Sequence, residues 1–153
     1  MSTEVKKLQI GIINGPNINM LGIREPETYG HVTWKDTEEE LEKQAGKLGV
    51  ELIFFQSNHE GEIVDFIQKN LVHIDGVVIN PAAFTKAGYS VLDALTAIKL
   101  PFVEVHLSNI FARGGWHAET IFAEKAIGHM NGFQSDVYGL GLQAIYQFLV
   151  KHK

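Results

Sequence analysis

Glu104 and His106 stand two residues apart in the run VEVHLSN, Val103–Asn109. On an extended chain, residues i and i+2 share a face. The run around them is apolar, and a charge buried there is costly unless it is paired. A carboxylate against an imidazole fixes the ring's tautomer and favours its protonated form, which a general acid working near neutral pH requires. The alternative is a satisfied structural pair with no chemistry. Immediately beyond, the backbone N–H groups of Leu107 and Ser108, with the Ser108 hydroxyl, offer a place for a carboxylate without any basic side chain. Arg113 precedes GGW, a segment that reads as flexible, and is either a ligand clamp or a surface arginine.

A second pair lies in REPETYG, Arg24–Gly30. The proline resists helix, and the stretch reads as a mobile polar loop. It is either a solvated connector or a device in which Arg24 alters the chemistry of Tyr29. Three shorter motifs also hold polar groups. NGPN, Asn14–Asn17, follows an apolar run where a phosphate loop would lie, but it lacks a GxGxxG or Walker pattern and Pro16 removes a donor. NHEGE, Asn58–Glu62, carries His59 and Glu62 but no HExxH, and reads as a helix cap formed by Asn58 or Ser57. In INPAA, Asn80 precedes a proline, which favours extended backbone and aims its amide out of a strand end, as a turn or a ligand contact. Lys86 and Asp93 flank the start of a helix. His31, His73, His117, His129 and His152 have no motif around them and read as structural or exposed.

The elements that must position these residues are legible as hydrophobic runs. Leu8–Ile13 with Asn14, Val50–Phe55, Gly76–Asn80 and Pro101–His106 are short, apolar and β-branched, as buried parallel strands are. Ala126–Gly132 is a weaker fifth, interrupted by His129 and Asn131. Between them lie helical patterns. Thr33 or Asp36 caps a helix through TEEELEKQAGKL, which Gly49 ends. A second helix presents Ile63, Phe66 and Ile67 on one face, and a third presents Val91, Leu92, Leu95 and Ile98. The last runs through DVYGLGLQAIYQFLV, weakened by Gly139 and Gly141. Strand and helix alternate five times, so the fold expected is α/β and flavodoxin-like, a five-stranded parallel sheet with helices on both faces, built as a single domain over residues 1–153. Ligands of such sheets bind outside the carboxyl ends of the strands. The four segments after the first four strands hold an unusual share of Asn, His, Arg and Ser and should converge there.

The whole chain narrows the function classes. Its 153 residues can bury a real core, and 45% hydrophobic with 20% charged residues is ordinary for a globular protein. A net charge of −5 without a basic stripe argues against a nucleic-acid partner. The absence of cysteine excludes disulfides, thiolate metal sites and a thiol nucleophile. No segment has the ~20 apolar residues of a membrane span or a signal-peptide core, so the expected location is cytoplasmic, with no membrane partner.

Together NGPNINMLGIREPETYG, QSNHEGEIVDFIQ, GVVINPAAFT and VEVHLSN followed by AR resemble the type II 3-dehydroquinate dehydratases, in order and nearly end to end through Arg113. The resemblance implies a flavodoxin-like subunit in a homo-oligomer, a dodecamer of trimers. It implies a small-molecule substrate, 3-dehydroquinate, which loses water by trans-elimination through an enolate without cofactor, metal or Schiff base. Tyr29 would take the C2 proton, with Arg24 supporting its phenolate. A free phenol ionises only near pH 10, and a guanidinium beside it favours the ionised form. His106 would protonate the departing C1 hydroxyl, oriented by Glu104, and Asn17 would help hold a water on the enolate oxygen. Asn80, Leu107 and Ser108 would bind the substrate carboxylate. Asp93 and Arg113 would bind ring hydroxyls, Asp93 from a neighbouring subunit.

The sequence departs from the family pattern at Lys86, where a histidine is usual, at Leu92 before Asp93, where an arginine is usual, and in GGWHAET after Arg113. Lys86 can replace the histidine as a donor, though as a flexible point charge. Two other readings accompany this one: the same elimination on a related cyclic hydroxy-acid, with Lys86 as the distinguishing residue, and a non-catalytic flavodoxin-like binding module. Flavin or nucleotide binding would want a phosphate-cradling first loop, which the Pro16 turn does not supply.

Overall fold

The computed structural model describes residues 4–153. The five runs form one parallel sheet: β1 Gln9–Asn14, β2 Glu51–Gln56, β3 Gly76–Asn80, β4 Phe102–His106 and β5 Gly128–Asn131, in the order β2-β1-β3-β4-β5. Pro101 stays outside β4 because it has no N–H to donate to the ladder. Its carbonyl still accepts from Val77 N at 3.0 Å. The interrupted run at β5 forms a strand because it is an edge, paired only with β4, and its half-buried positions tolerate His129 and Asn131.

Among the described residues six α-helices accompany the sheet: α1 Pro26–Tyr29, α2 Trp34–Leu48, α3 Glu60–Lys69, α4 Tyr89–Ala97, α5 Ile110–Arg113 and α6 Asp136–Lys151. Strand residues alternate between two cores. Ile12, Val78 and Val105 pack with Leu41 of α2 and Tyr138, Leu142 and Ile145 of α6. Ile13, Ile79 and Phe102 pack with Ile63 and Ile67 of α3 and Val91 and Leu95 of α4. The helices therefore cover both faces. Gly141, expected only to weaken α6, lets that helix approach the sheet: a Cβ there would lie 2.9 Å from Val105 Cγ1 and 3.1 Å from Val78 Cγ1. No helix among the described residues is long and apolar enough to cross a membrane.

Several local expectations need correction. REPETYG is not an open loop. Pro26 occupies the first helical position of α1, where its missing N–H has no intrahelical partner to lose, and Gly30 at φ 84° ends the turn. Thr33 is the cap of α2, and Asp36 completes a reciprocal box: Thr33 Oγ1 accepts from Asp36 N at 3.1 Å, and Asp36 Oδ2 accepts from Thr33 N at 2.9 Å. The Thr33 hydroxyl, donating to Asp36 Oδ2 at 2.7 Å, and then the Thr33 backbone N–H, with Lys35 nearby, hold the Asp36 carboxyl below its ordinary range. Asn58 does not cap α3. Its Oδ1 instead accepts from Asn17 N at 3.0 Å, while Ser57 Oγ accepts from His59 N at 2.9 Å. Ile98 is exposed because α4 ends before it. GGW is not an open segment: Gly114 and Gly115, at φ 67° and 57°, turn the chain into a 3-10 turn over Gly115–Ala118.

Candidate active site

The carboxyl ends of the strands build the site. The register of β1 and β3 sets Asn14 beside Asn80. Both amides meet Tyr138 of α6, whose hydroxyl donates to Asn14 Oδ1 at 2.7 Å and accepts from Asn80 Nδ2 at 3.0 Å. Asn80 Oδ1 accepts from Ala82 N at 3.1 Å. Tyr138 is fully buried, and burial pushes its hydroxyl far above the ordinary phenol range, so it stays protonated and bridges the two amides. Gly15 is required beside this bridge: a Cβ there would lie 2.2 Å from the Pro81 carbonyl oxygen.

At the end of β4, His106 Nε2 lies 2.7 Å from Glu104 Oε1, with the carboxylate completely buried. Thr120 Oγ1 donates to the same oxygen at 2.7 Å. The pair expected from the i, i+2 spacing therefore exists, and Thr120, which had no sequence signal, steadies it. The β4–β5 register sets His129 directly beside Glu104. His129 Nε2 stands 3.9 Å from Glu104 Oε2, and neither buried atom has a hydrogen-bond partner. Burial lowers the His129 pKa; Glu104 opposes that shift and His106 adds to it.

Arg24, Tyr29, Asn80, Lys86, His106, Leu107, Ser108 and Arg113 line one pocket. Arg24 lies over the Tyr29 ring, with its guanidinium carbon 5.1 Å from the centroid, and also faces Glu25 at 3.7 Å. Arg113, expected on ring hydroxyls, touches Tyr29 itself: Nη1 donates to the phenol oxygen at 2.9 Å and reaches Ser108 Oγ at 3.4 Å. Two guanidinium groups thus flank one phenol. Lys86 Nζ is 3.0 Å from Glu119 Oε2, also at the pocket. Asn17, held in left-handed backbone at φ 69°, lies in an adjoining niche with Ile18, Leu21, Arg24 and Tyr29. Glu104 stands behind His106. Asp93 is outside the pocket, on α4 near Tyr89 and Lys125.

His117, expected to be structural or exposed, and Trp116, from the GGWHAET segment, also line the pocket. His117 Nε2 is 2.9 Å from Arg113 Nη2, and its ring stacks on Trp116 at 3.7 Å. The four-residue spacing from Arg113 was the available signal, but two intervening glycines hid it.

The fold and site define a doubly wound α/β protein with a polar pocket at its strand ends, rich in arginine and histidine and with a buried carboxylate behind one of the histidines. The chain belongs to the class II dehydroquinases, whose family model matches residues 8–146. It is 49% identical over 142 residues to a 3-dehydroquinate dehydratase of Prochlorococcus marinus, covering 93% of this chain and 97% of the relative. It is 45% identical to the 3-dehydroquinate dehydratase of Carboxydothermus hydrogenoformans, covering 93% and 92%. The type II dehydroquinase structure from Butyrivibrio crossotus superposes with a TM-score of 0.88 at 33% identity, covering 91% of this chain and 97% of that one.

Proposed function

We propose that this chain is a type II 3-dehydroquinate dehydratase, a hydro-lyase that removes water from 3-dehydroquinate to give 3-dehydroshikimate. One observation carries the mechanism: Tyr29 and His106 line the same pocket, and each is backed by a partner of opposite chemical bias. Arg113 and Arg24 set positive charge against the Tyr29 phenol, which stabilises negative charge on its oxygen. Glu104 sets negative charge against the His106 imidazole, which stabilises positive charge on the ring.

Tyr29, as phenolate, takes the C2 proton, and the electrons move into an enolate. Asn17 helps hold a water on the enolate oxygen. His106, as imidazolium, protonates the departing C1 hydroxyl, and water leaves. Asn80, Leu107 and Ser108 hold the substrate carboxylate. The Leu107 and Ser108 carbonyls are already engaged by Gln134 N at 2.9 Å and Gly132 N at 3.0 Å, which fixes the backbone around them. Lys86 and Arg113 meet the ring substituents. The Lys86–Glu119 pair is half exposed, at 49% and 59%, so opening it for substrate costs at most about 1 kcal/mol. Asp93 serves a neighbouring subunit's pocket in a dodecamer. This reading requires no cofactor.

The test follows the enone absorbance of 3-dehydroshikimate after 3-dehydroquinate is added. Wild type should form product rapidly, while Tyr29→Phe and His106→Ala, folded by circular dichroism, should lose about a hundredfold or more in kcat. A folded wild type that forms no product would sink the assignment and turn attention to other cyclic hydroxy-acids.

A further inference from the structure

Glu104, His106 and His129 bring three ligand atoms within 4.8 Å of one another, and the mechanism above uses only two of these residues. Two polar atoms in this cluster are buried without partners, Glu104 Oε2 and His129 Nε2. At 3.9 Å they are too far apart to satisfy each other by a hydrogen bond. A fully buried carboxylate oxygen facing an unpartnered imidazole nitrogen across such a gap is a place for a cation. We propose that Glu104, His106 and His129 form an inhibitory zinc site beneath the substrate pocket.

The donor set and spacing fit that ion. Two imidazoles and a carboxylate suit Zn²⁺, which binds such ligands at about 2.0–2.2 Å and so separates tetrahedral neighbours by about 3.4 Å. The separations of 2.7 Å from His106 Nε2 to Glu104 Oε1 and 3.9 Å from His129 Nε2 to Glu104 Oε2 run to the two carboxylate oxygens and lie on either side of that value. The β4–β5 register fixes Glu104 and His129 on adjacent backbone positions, so side-chain rotations suffice to close the set. Thr120 Oγ1, donating to Glu104 Oε1, supplies the outer hydrogen bond that ligating carboxylates use. His106 lines the pocket, so the pocket is the side from which an ion would reach the cluster. Zinc on His106 would occupy the nitrogen that faces Glu104 and repel the proton the ring must carry. This inhibitory consequence rests on the acid role proposed for His106, whereas metal binding rests on the cluster alone.

Enzyme freed of metal with EDTA and desalted is titrated with Zn²⁺ by calorimetry, and with Co²⁺ followed by visible absorption, beside His129→Val and His129→Gln. Wild type should bind one ion per chain and give the intense bands of four-coordinate Co²⁺, and each variant should bind about tenfold more weakly or worse. Turnover of wild type should fall on adding Zn²⁺ and return with EDTA, with the fractional loss much smaller in His129→Val. Equal binding by wild type and variants, or no stoichiometric binding by wild type, would overturn the site. Binding that depends on His129 but leaves wild-type turnover intact would uphold the site and count against His106 as the acid.

Discussion

At the residue scale, the pocket works by pairing each reactive group with a neighbour that biases its charge. The sequence suggested this for Glu104 and His106, because their spacing alone puts them on one strand face. It suggested Arg24 for Tyr29 but not Arg113, which lies 84 residues away and makes the shorter contact. Arg113 bonds Tyr29, Ser108 and His117 from two nitrogens of one planar group, a geometry that an ammonium cannot reproduce. Arg113→Lys should therefore keep the charge yet lower kcat by roughly tenfold or more, read from the initial rate of enone formation at saturating substrate; an unchanged kcat would remove Arg113 from the base's support. Tyr138 acts at one remove. Its hydroxyl bonds Asn14 Oδ1 and Asn80 Nδ2 on two strands, so Tyr138→Phe should cost about 1–3 kcal/mol, seen as a lower denaturant midpoint. With Asn80 released from its anchor, KM should rise more than kcat falls. A rise in the midpoint would show that the amides find other partners.

At the element scale, helix ends decide geometry that hydrophobic periodicity leaves open. The α2 box was half legible, since both Thr33 and Asp36 were candidates for the cap. The structure assigns them reciprocal roles, and this has a pH signature. Asp36 is more acidic in the folded chain than its ordinary value of 3.8. Its stabilising contribution is therefore present above about pH 4 and is lost as pH falls through the lower folded-state value. Thermal melts across that window should show wild type above Asp36→Asn at neutral pH, with the gap closing in acid; a constant gap would exclude the linkage. Pro26 gives REPETYG the look of a loop for a related reason. The same ring that breaks a helix interior is tolerated at its first position, and only the start of α1 distinguishes the two cases. That turn carries Tyr29 to the pocket at a defined angle rather than on an open loop.

At the scale of the whole molecule, Asp93 is the residue the subunit leaves apart. It lies on α4 away from the pocket, beside Tyr89, which is 66% exposed. If assembly brings it to a neighbour's pocket, as proposed, light scattering should report a dodecamer, and Asp93→Ala should raise KM with little effect on the subunit's own melting. A fully active monomer would separate Asp93 from the site. The zinc proposal belongs to this scale too, since Glu104 and His129 meet only because β5 closes the edge of the sheet beside β4.

The sequence by itself determined the five strands and four long helices, because alternating hydrophobic periods leave few other ways to bury these side chains. It also determined that polar residues after the strands would gather at one edge, because parallel strands deliver their carboxyl ends together. Only the tertiary structure decided which of those residues touch. Strand register put His129 beside Glu104 and Asn14 beside Asn80. Two glycines folded His117 back onto Arg113. The close packing of α6, permitted by Gly141, brought Tyr138 to both asparagines. Such contacts join residues far apart in the chain through backbone pairing and helix docking, and neither leaves a local pattern to read.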